Sequence, residues 1–80
     1  MAKVLITGAT GFLGGYAVRE LLAAGYSVRG FGRSREKLAQ LAHEYGIETV
    51  CGDLSDAAAV AQALNGADYC IHSGALSSVW

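Results

Sequence analysis

The residues of this chain best placed to do chemistry are glycines. In "LITGATGFLGGY", Leu5 to Tyr16, a short apolar run is followed by Gly8, Gly11 and Gly14 at intervals of three, with Gly15 behind them. From Phe12 to Ala24 the apolar side chains recur at helical spacing, so the glycines fall in the turn between a strand and the first turn of a helix. Unpaired N–H groups and the positive end of the helix dipole attract an anion there. Residues without a Cβ let the backbone approach a pyrophosphate and let the helix sit close to the sheet. The spacing is G-x-x-G-x-x-G rather than G-x-G-x-x-G, and it is not that of a triphosphate-binding loop, because Leu13 stands five positions after Gly8 and no Gly-Lys-Ser/Thr follows. A tight turn that merely uses glycine is the alternative; the strand–turn–helix context favours a dinucleotide.

The elements that must position this turn alternate along the chain. Lys3 to Thr7 reads as a strand and Phe12 to Ala24 as a helix stopped by Gly25. Tyr26 to Phe31 is a second strand, and Ser34 is the expected N-cap of a helix running to Tyr45 and closed by Gly46. Ile47 to Cys51 is a third strand; Ser55 is read as the cap of an alanine-rich helix with Asp56 in its first turn, ended by Asn65-Gly66. Asp68 to Ser73 is the fourth strand. The series β-α-β-α-β-α-β with short connections predicts an α/β fold, a Rossmann-type doubly wound parallel sheet in the strand order 3-2-1-4, with a crevice where the order reverses between strands 1 and 4.

Other reactive side chains carry less. His72 lies in a strand beside Cys70 and Ile71, and His43 lies mid-helix beside Glu44; neither has ligands at metal-binding spacing, and both read as packed histidines. Cys51 and Cys70 fall on strands 3 and 4, at opposite edges of the expected sheet and beyond disulfide reach, and are read as core residues. No metal ligand and no catalytic residue is assigned.

Composition limits the function classes. Hydrophobic residues make up 52% and charged residues 16% of 80 positions, which suits one folded domain, residues 1–80, rather than a disordered segment. A chain of this size buries roughly 60% of the surface it exposes when unfolded, so its core is small. A net charge of −1 offers no basic footprint for nucleic acid and no polybasic surface for a membrane. Two cysteines without a C-x-x-C pairing suit a reducing compartment, and a cytoplasmic location is expected.

"TGATGFLG" (Thr7 to Gly14), "GDLSD" (Gly52 to Asp56) and "IHSGA" (Ile71 to Ala75) together closely resemble the extended short-chain dehydrogenase/reductase family. The 3β-hydroxysteroid dehydrogenase and sugar epimerase/dehydratase branches are the most similar. The resemblance implies that Gly8, Thr10, Gly11 and Gly14, with the backbone around Phe12 and Leu13, hold the pyrophosphate. It implies that Asp53 and the Leu54 backbone contact the adenine ring, and that Ser73, Gly74 and Ala75 line the nicotinamide-side ribose. Gly74 departs from the family's H-x-A-A pattern. An acid at the end of strand 3 is chemically able to accept from an adenine amino group, and the motif context favours that role over the alternative of a helix-flanking Asp.

In such folds an Asp or Glu at the end of strand 2 holds the ribose 2′-OH of NAD, whereas an arginine accommodates the 2′-phosphate of NADP. Here "FGRSREK" has Gly32 at the acid's place, followed by Arg33, Ser34, Arg35 and Lys37. Cations at a helix N-terminus oppose its dipole, which calls for a compensating anion. NADP is therefore the expected cofactor, with Arg33 as its 2′-phosphate contact and NAD as the alternative.

The Tyr-x-x-x-Lys pair that the family uses as a proton shuttle is missing: four residues after Tyr16, Tyr26, Tyr45 and Tyr69 stand Glu20, Gly30, Thr49 and Ser73. The chain is accordingly expected to be the amino-terminal, cofactor-binding half of a longer dehydrogenase, reductase or epimerase. The parent would act on a small-molecule substrate by hydride transfer, and this half alone would be inactive. A non-catalytic NADP-binding redox sensor and a structural fragment without binding are the alternatives.

Overall fold

The computed structural model describes residues 2–72, which form four strands and three helices in strict alternation. Strand β1 is Lys3–Thr7, followed by helix α1 (Phe12–Ala23), strand β2 (Ser27–Gly32), helix α2 (Arg35–Tyr45), strand β3 (Glu48–Cys51), helix α3 (Ala57–Leu64) and strand β4 (Tyr69–His72). The strands make one parallel sheet in the order β3-β2-β1-β4, as the βα alternation predicts. Its registers align Thr7 with Phe31 and with His72, bringing the carboxyl ends of β1, β2 and β4 level.

Strand β1 is central and buried on both faces, which explains its unbroken apolar run. Val4 and Ile6 join Val18, Val28 and Ile47 on the side covered by α1 and α2. Leu5 joins Phe31 and Ala63 on the side covered by α3. The period-2 alternation of side chains thus divides one strand between two cores.

Local chemistry sets the helix ends. Ser34 caps α2, its Oγ accepting from the Lys37 N–H, and Gly46 closes it at φ 68°. Helix α3 differs from expectation. Its cap is Asp56, whose Oδ1 accepts from the N–H groups of Ala58 and Ala59, while the Ser55 hydroxyl donates to Asp53. Both residues are competent caps, and the backbone begins the helix one residue later than expected. At the other end of α3, Arg29 of β2 donates to the carbonyls of Ala63 and Asn65. That guanidinium also meets Glu48, which Lys3 reaches as well, tying β1, β2 and β3 together at their amino ends.

The two cysteines are not core residues. Cys51 and Cys70 are free thiols and both are exposed, because β3 and β4 are the outer strands of the described sheet. Partial burial of its sulfur still pushes the Cys70 thiol above its ordinary range. His43 is exposed and sits in the last turn of α2 rather than at its middle.

Candidate functional site

The three spaced glycines occupy one turn, and the geometry gives each a separate reason to lack a side chain. Gly8 has φ 69°, a left-handed conformation that favours glycine, and opens the turn directly after β1. A Cβ on Gly14 would lie 2.4 Å from the Gly8 carbonyl oxygen and 2.7 Å from Ala9 Cα, so glycine is what lets α1 pack against the turn. Neither reason holds at Gly11. Its φ of −79° and ψ of 171° are open to any residue, and among the described residues a Cβ there would meet only the Gly8 oxygen at 3.4 Å, an ordinary contact. Gly11 is the N-cap of α1, without a side-chain cap for the first-turn N–H groups.

Next to this turn a cavity of about 590 Å³ opens across the carboxyl ends of β2 and β3. Gly8, Thr10 and Gly11 form one wall, and Gly32, Arg33 and Lys37 stand on the β2–α2 side. Gly52, Asp53 and Leu54 close the third side. The turn is held to β2 by the Ala9 N–H, which donates to the Phe31 carbonyl at 3.2 Å, and β3 is held to β2 beyond its end by Gly52 N–H to Gly32 carbonyl at 2.9 Å. Glycine at 32 has a steric reason as well: a Cβ there would lie 3.2 Å from Thr10 Cγ2.

The charged groups of the cavity are accessible. Arg33 is 82% exposed and Asp53 52%, with Nη1 and Oδ2 3.9 Å apart. The Asp53 carboxyl is held below its ordinary range, first by the Ser55 backbone N–H, then by the Ser55 hydroxyl, and least by the Arg33 charge. The β3 side therefore presents a carboxylate acceptor, the adjoining β2–α2 side presents cations, and the glycine turn presents the N-terminus of α1.

Of the positions expected from sequence, Gly8, Thr10, Gly11, Arg33, Asp53 and Leu54 border this one cavity. Gly14 lies behind the turn as a packing residue, and Phe12 and Leu13 begin α1. Ser73, Gly74 and Ala75 fall outside the described residues. Lys37 belongs to the basic cluster after β2 but is not among the site residues expected from sequence. It lines both this cavity and a neighbouring one of about 510 Å³ between α1 and α2. Its place three residues after the Ser34 cap, in the first turn of a helix whose N-terminus faces the cavity, is the signal that could have found it.

His72 does not border the cavity. Its Nδ1 is 2.7 Å from the hydroxyl of Thr7, which is 4% exposed, joining the ends of β4 and β1. Among the described residues no three metal-ligating side chains converge. No helix among them is long and apolar enough to cross a membrane.

Comparison with known proteins agrees with this geometry. Residues 8–78 match a family model described as NAD(P)H-binding. Over 78 residues the chain is 38% identical to a 2-alkyl-3-oxoalkanoate reductase of Stenotrophomonas maltophilia, an alignment covering 98% of this chain and 23% of that protein. A nucleoside-diphosphate-sugar epimerase from Pseudomonas aeruginosa superposes with TM-score 0.80 at 32% identity, covering 96% of this chain and 25% of that one. A short-chain dehydrogenase/reductase superfamily protein from Agrobacterium tumefaciens, solved with bound NAD, gives TM-score 0.71 at 31% identity over 88% of this chain and 19% of its own. The chain thus spans about a quarter or less of the length of each of these relatives. With the glycine turn, the parallel sheet and these likenesses agreeing, the chain belongs to the NAD(P)H-binding family, as a Rossmann-type segment of the short-chain dehydrogenase/reductase kind.

Proposed function

We propose that residues 1–80 are the amino-terminal, dinucleotide-binding part of a longer oxidoreductase or epimerase, and that they bind NADP in preference to NAD. The observation that carries this reading is Gly11. Among the described residues neither backbone conformation nor packing requires glycine there, and the missing Cβ at the N-cap of α1 leaves the helix N-terminus open to a docking anion. The pyrophosphate is that group, held by the N–H groups around Gly11, Phe12 and Leu13, with Gly8 and Thr10 beside it. Gly14 serves the same site by letting α1 approach.

Arg33 and Lys37 take the 2′-phosphate, since the acid that would hold a ribose 2′-OH is replaced by Gly32. Asp53 and the Leu54 backbone take the adenine edge. Ser73, Gly74 and Ala75 are assigned to the nicotinamide-side ribose on the family resemblance. The bound nicotinamide supplies hydride transfer to or from the parent's substrate. This chain's own part is to bind and orient the dinucleotide, because it contains no Tyr-x-x-x-Lys pair. Two exposed free thiols suit a cytoplasmic setting.

Calorimetric titration of the chain with NADPH and NADH tests the reading. NADPH is expected to bind more tightly, and Gly11→Val is expected to abolish binding while circular dichroism stays unchanged. Equal affinity for the two cofactors would remove the 2′-phosphate role; retained affinity in a folded Gly11→Val variant would remove the phosphate cradle. The chain alone is expected to show no turnover with NADPH and a panel of ketosteroids and sugar nucleotides. Activity that follows the protein through purification would place a proton donor within these residues.

A further inference from the structure

The Ser55 hydroxyl does not cap α3, where Asp56 already accepts from the Ala58 and Ala59 N–H groups. Ser55 instead turns back on Asp53. Its backbone N–H donates to Asp53 Oδ1 at 2.9 Å, and its hydroxyl donates to the same oxygen at 3.0 Å. Two donors on one carboxylate oxygen fix the rotation of the group and leave Oδ2 as the atom facing Arg33 at 3.9 Å, on the rim of the cavity. A carboxylate so held is an acceptor with no proton to give.

We propose that Ser55 is a positioning residue for base selection: by fixing the Asp53 carboxylate as an outward-facing acceptor, it makes the site favour a base with an exocyclic amino group over one with a carbonyl at that position. The inference rests on the reading that this cavity takes the adenosine half of the dinucleotide. An amino group donates to Oδ2. A carbonyl oxygen in its place sets acceptor against acceptor and forfeits that hydrogen bond at the accessible carboxylate. Without the Ser55 hydroxyl, one of the two anchors on Oδ1 is lost and the carboxylate rotates more freely, so the discrimination weakens even though Asp53 is still present.

The test compares NADPH with its hypoxanthine analogue, in which a carbonyl replaces the adenine amino group and N1 carries a hydrogen, on the wild-type chain, Ser55→Ala, Ser55→Thr and Asp53→Asn. The wild-type chain is expected to prefer NADPH by about tenfold. In Ser55→Ala this ratio is expected to fall to about threefold or less, chiefly through weaker NADPH binding, and Ser55→Thr is expected to restore it. A merely structural role would weaken both ligands alike and leave the ratio in place. A ratio unchanged in Ser55→Ala but collapsed in Asp53→Asn would overturn the role of Ser55 while leaving the adenosine reading standing. A wild-type chain that binds neither ligand would overturn both.

Discussion

The guanidinium of Arg33 and the carboxylate of Asp53 face one another 3.9 Å apart, one just after β2 and the other just after β3, although twenty positions separate them in the chain. Both are exposed, so the pair adds little to folding, and both charges are available to a ligand. Replacing Arg33 by Ala should therefore lower NADPH affinity about tenfold or more, leave NADH binding nearly unchanged, and move stability by less than about 0.5 kcal/mol. Parallel titrations with the two cofactors, together with a thermal melt, check this; an equal loss for both would place Arg33 elsewhere than at the 2′-phosphate.

Gly14 and Gly11 should separate stability from binding. Gly14→Ala puts a Cβ within 2.4 Å of the Gly8 oxygen, a backbone atom that cannot swing away, and should destabilise the fold by about 1–3 kcal/mol or more. Gly11→Ala has room among the described residues and should cost at most about 1 kcal/mol, the preference for glycine over alanine at an N-cap, while weakening dinucleotide binding. Urea unfolding and calorimetry on the two variants measure each effect.

Asp56 and Ser55 should differ in what they support. Asp56→Ala removes the cap of α3 and should cost about 0.5–2 kcal/mol. Ser55→Ala should change stability little, since its hydroxyl serves Asp53 rather than the helix. The reverse order in denaturant midpoints would return the cap to Ser55.

The Glu48 carboxyl sits below its ordinary range, chiefly through the hydrogen bond from Lys3 and then that from Arg29. A depressed native pKa means that stability is present above the ordinary carboxylate range and lost as pH falls through the lowered value. Glu48 is 55% exposed, so Glu48→Gln should cost only about 0.2–1 kcal/mol at pH 7. The gap to wild type should close in strongly acid solution, as urea titrations across pH would show.

Arg29 anchors two carbonyls at the carboxyl end of α3 as well as meeting Glu48. Arg29→Met should leave those carbonyls without their donor and cost about 1–3 kcal/mol, and Arg29→Lys should recover only part of it because an ammonium lacks the fork. Hydrogen exchange should show α3 opening first.

Sequence alone determined the features whose physics is local. The alternation of periods marked every strand and helix to within a residue or two, Ser34 and Gly46 bounded α2 through their own hydrogen bond and φ, and the βα order required a doubly wound parallel sheet. The glycine turn and the basic start of α2 were legible in the same way, whereas Asp53 and Leu54 were named only through the resemblance of GDLSD to the extended short-chain dehydrogenase/reductase family. What tertiary structure decided were matters of distance between segments remote in the chain. The different reasons for glycine at 8, 11 and 14 depend on how closely α1 approaches the turn. Cys51 and Cys70 lie on strands expected at the edges of the sheet, but whether a helix covers an edge side chain is decided by packing, which leaves both exposed. The choice of Asp56 over Ser55 as cap was likewise closed to inspection, because both side chains can accept from a helix N-terminus and only the path of the backbone out of β3 turned one toward α3 and the other toward Asp53.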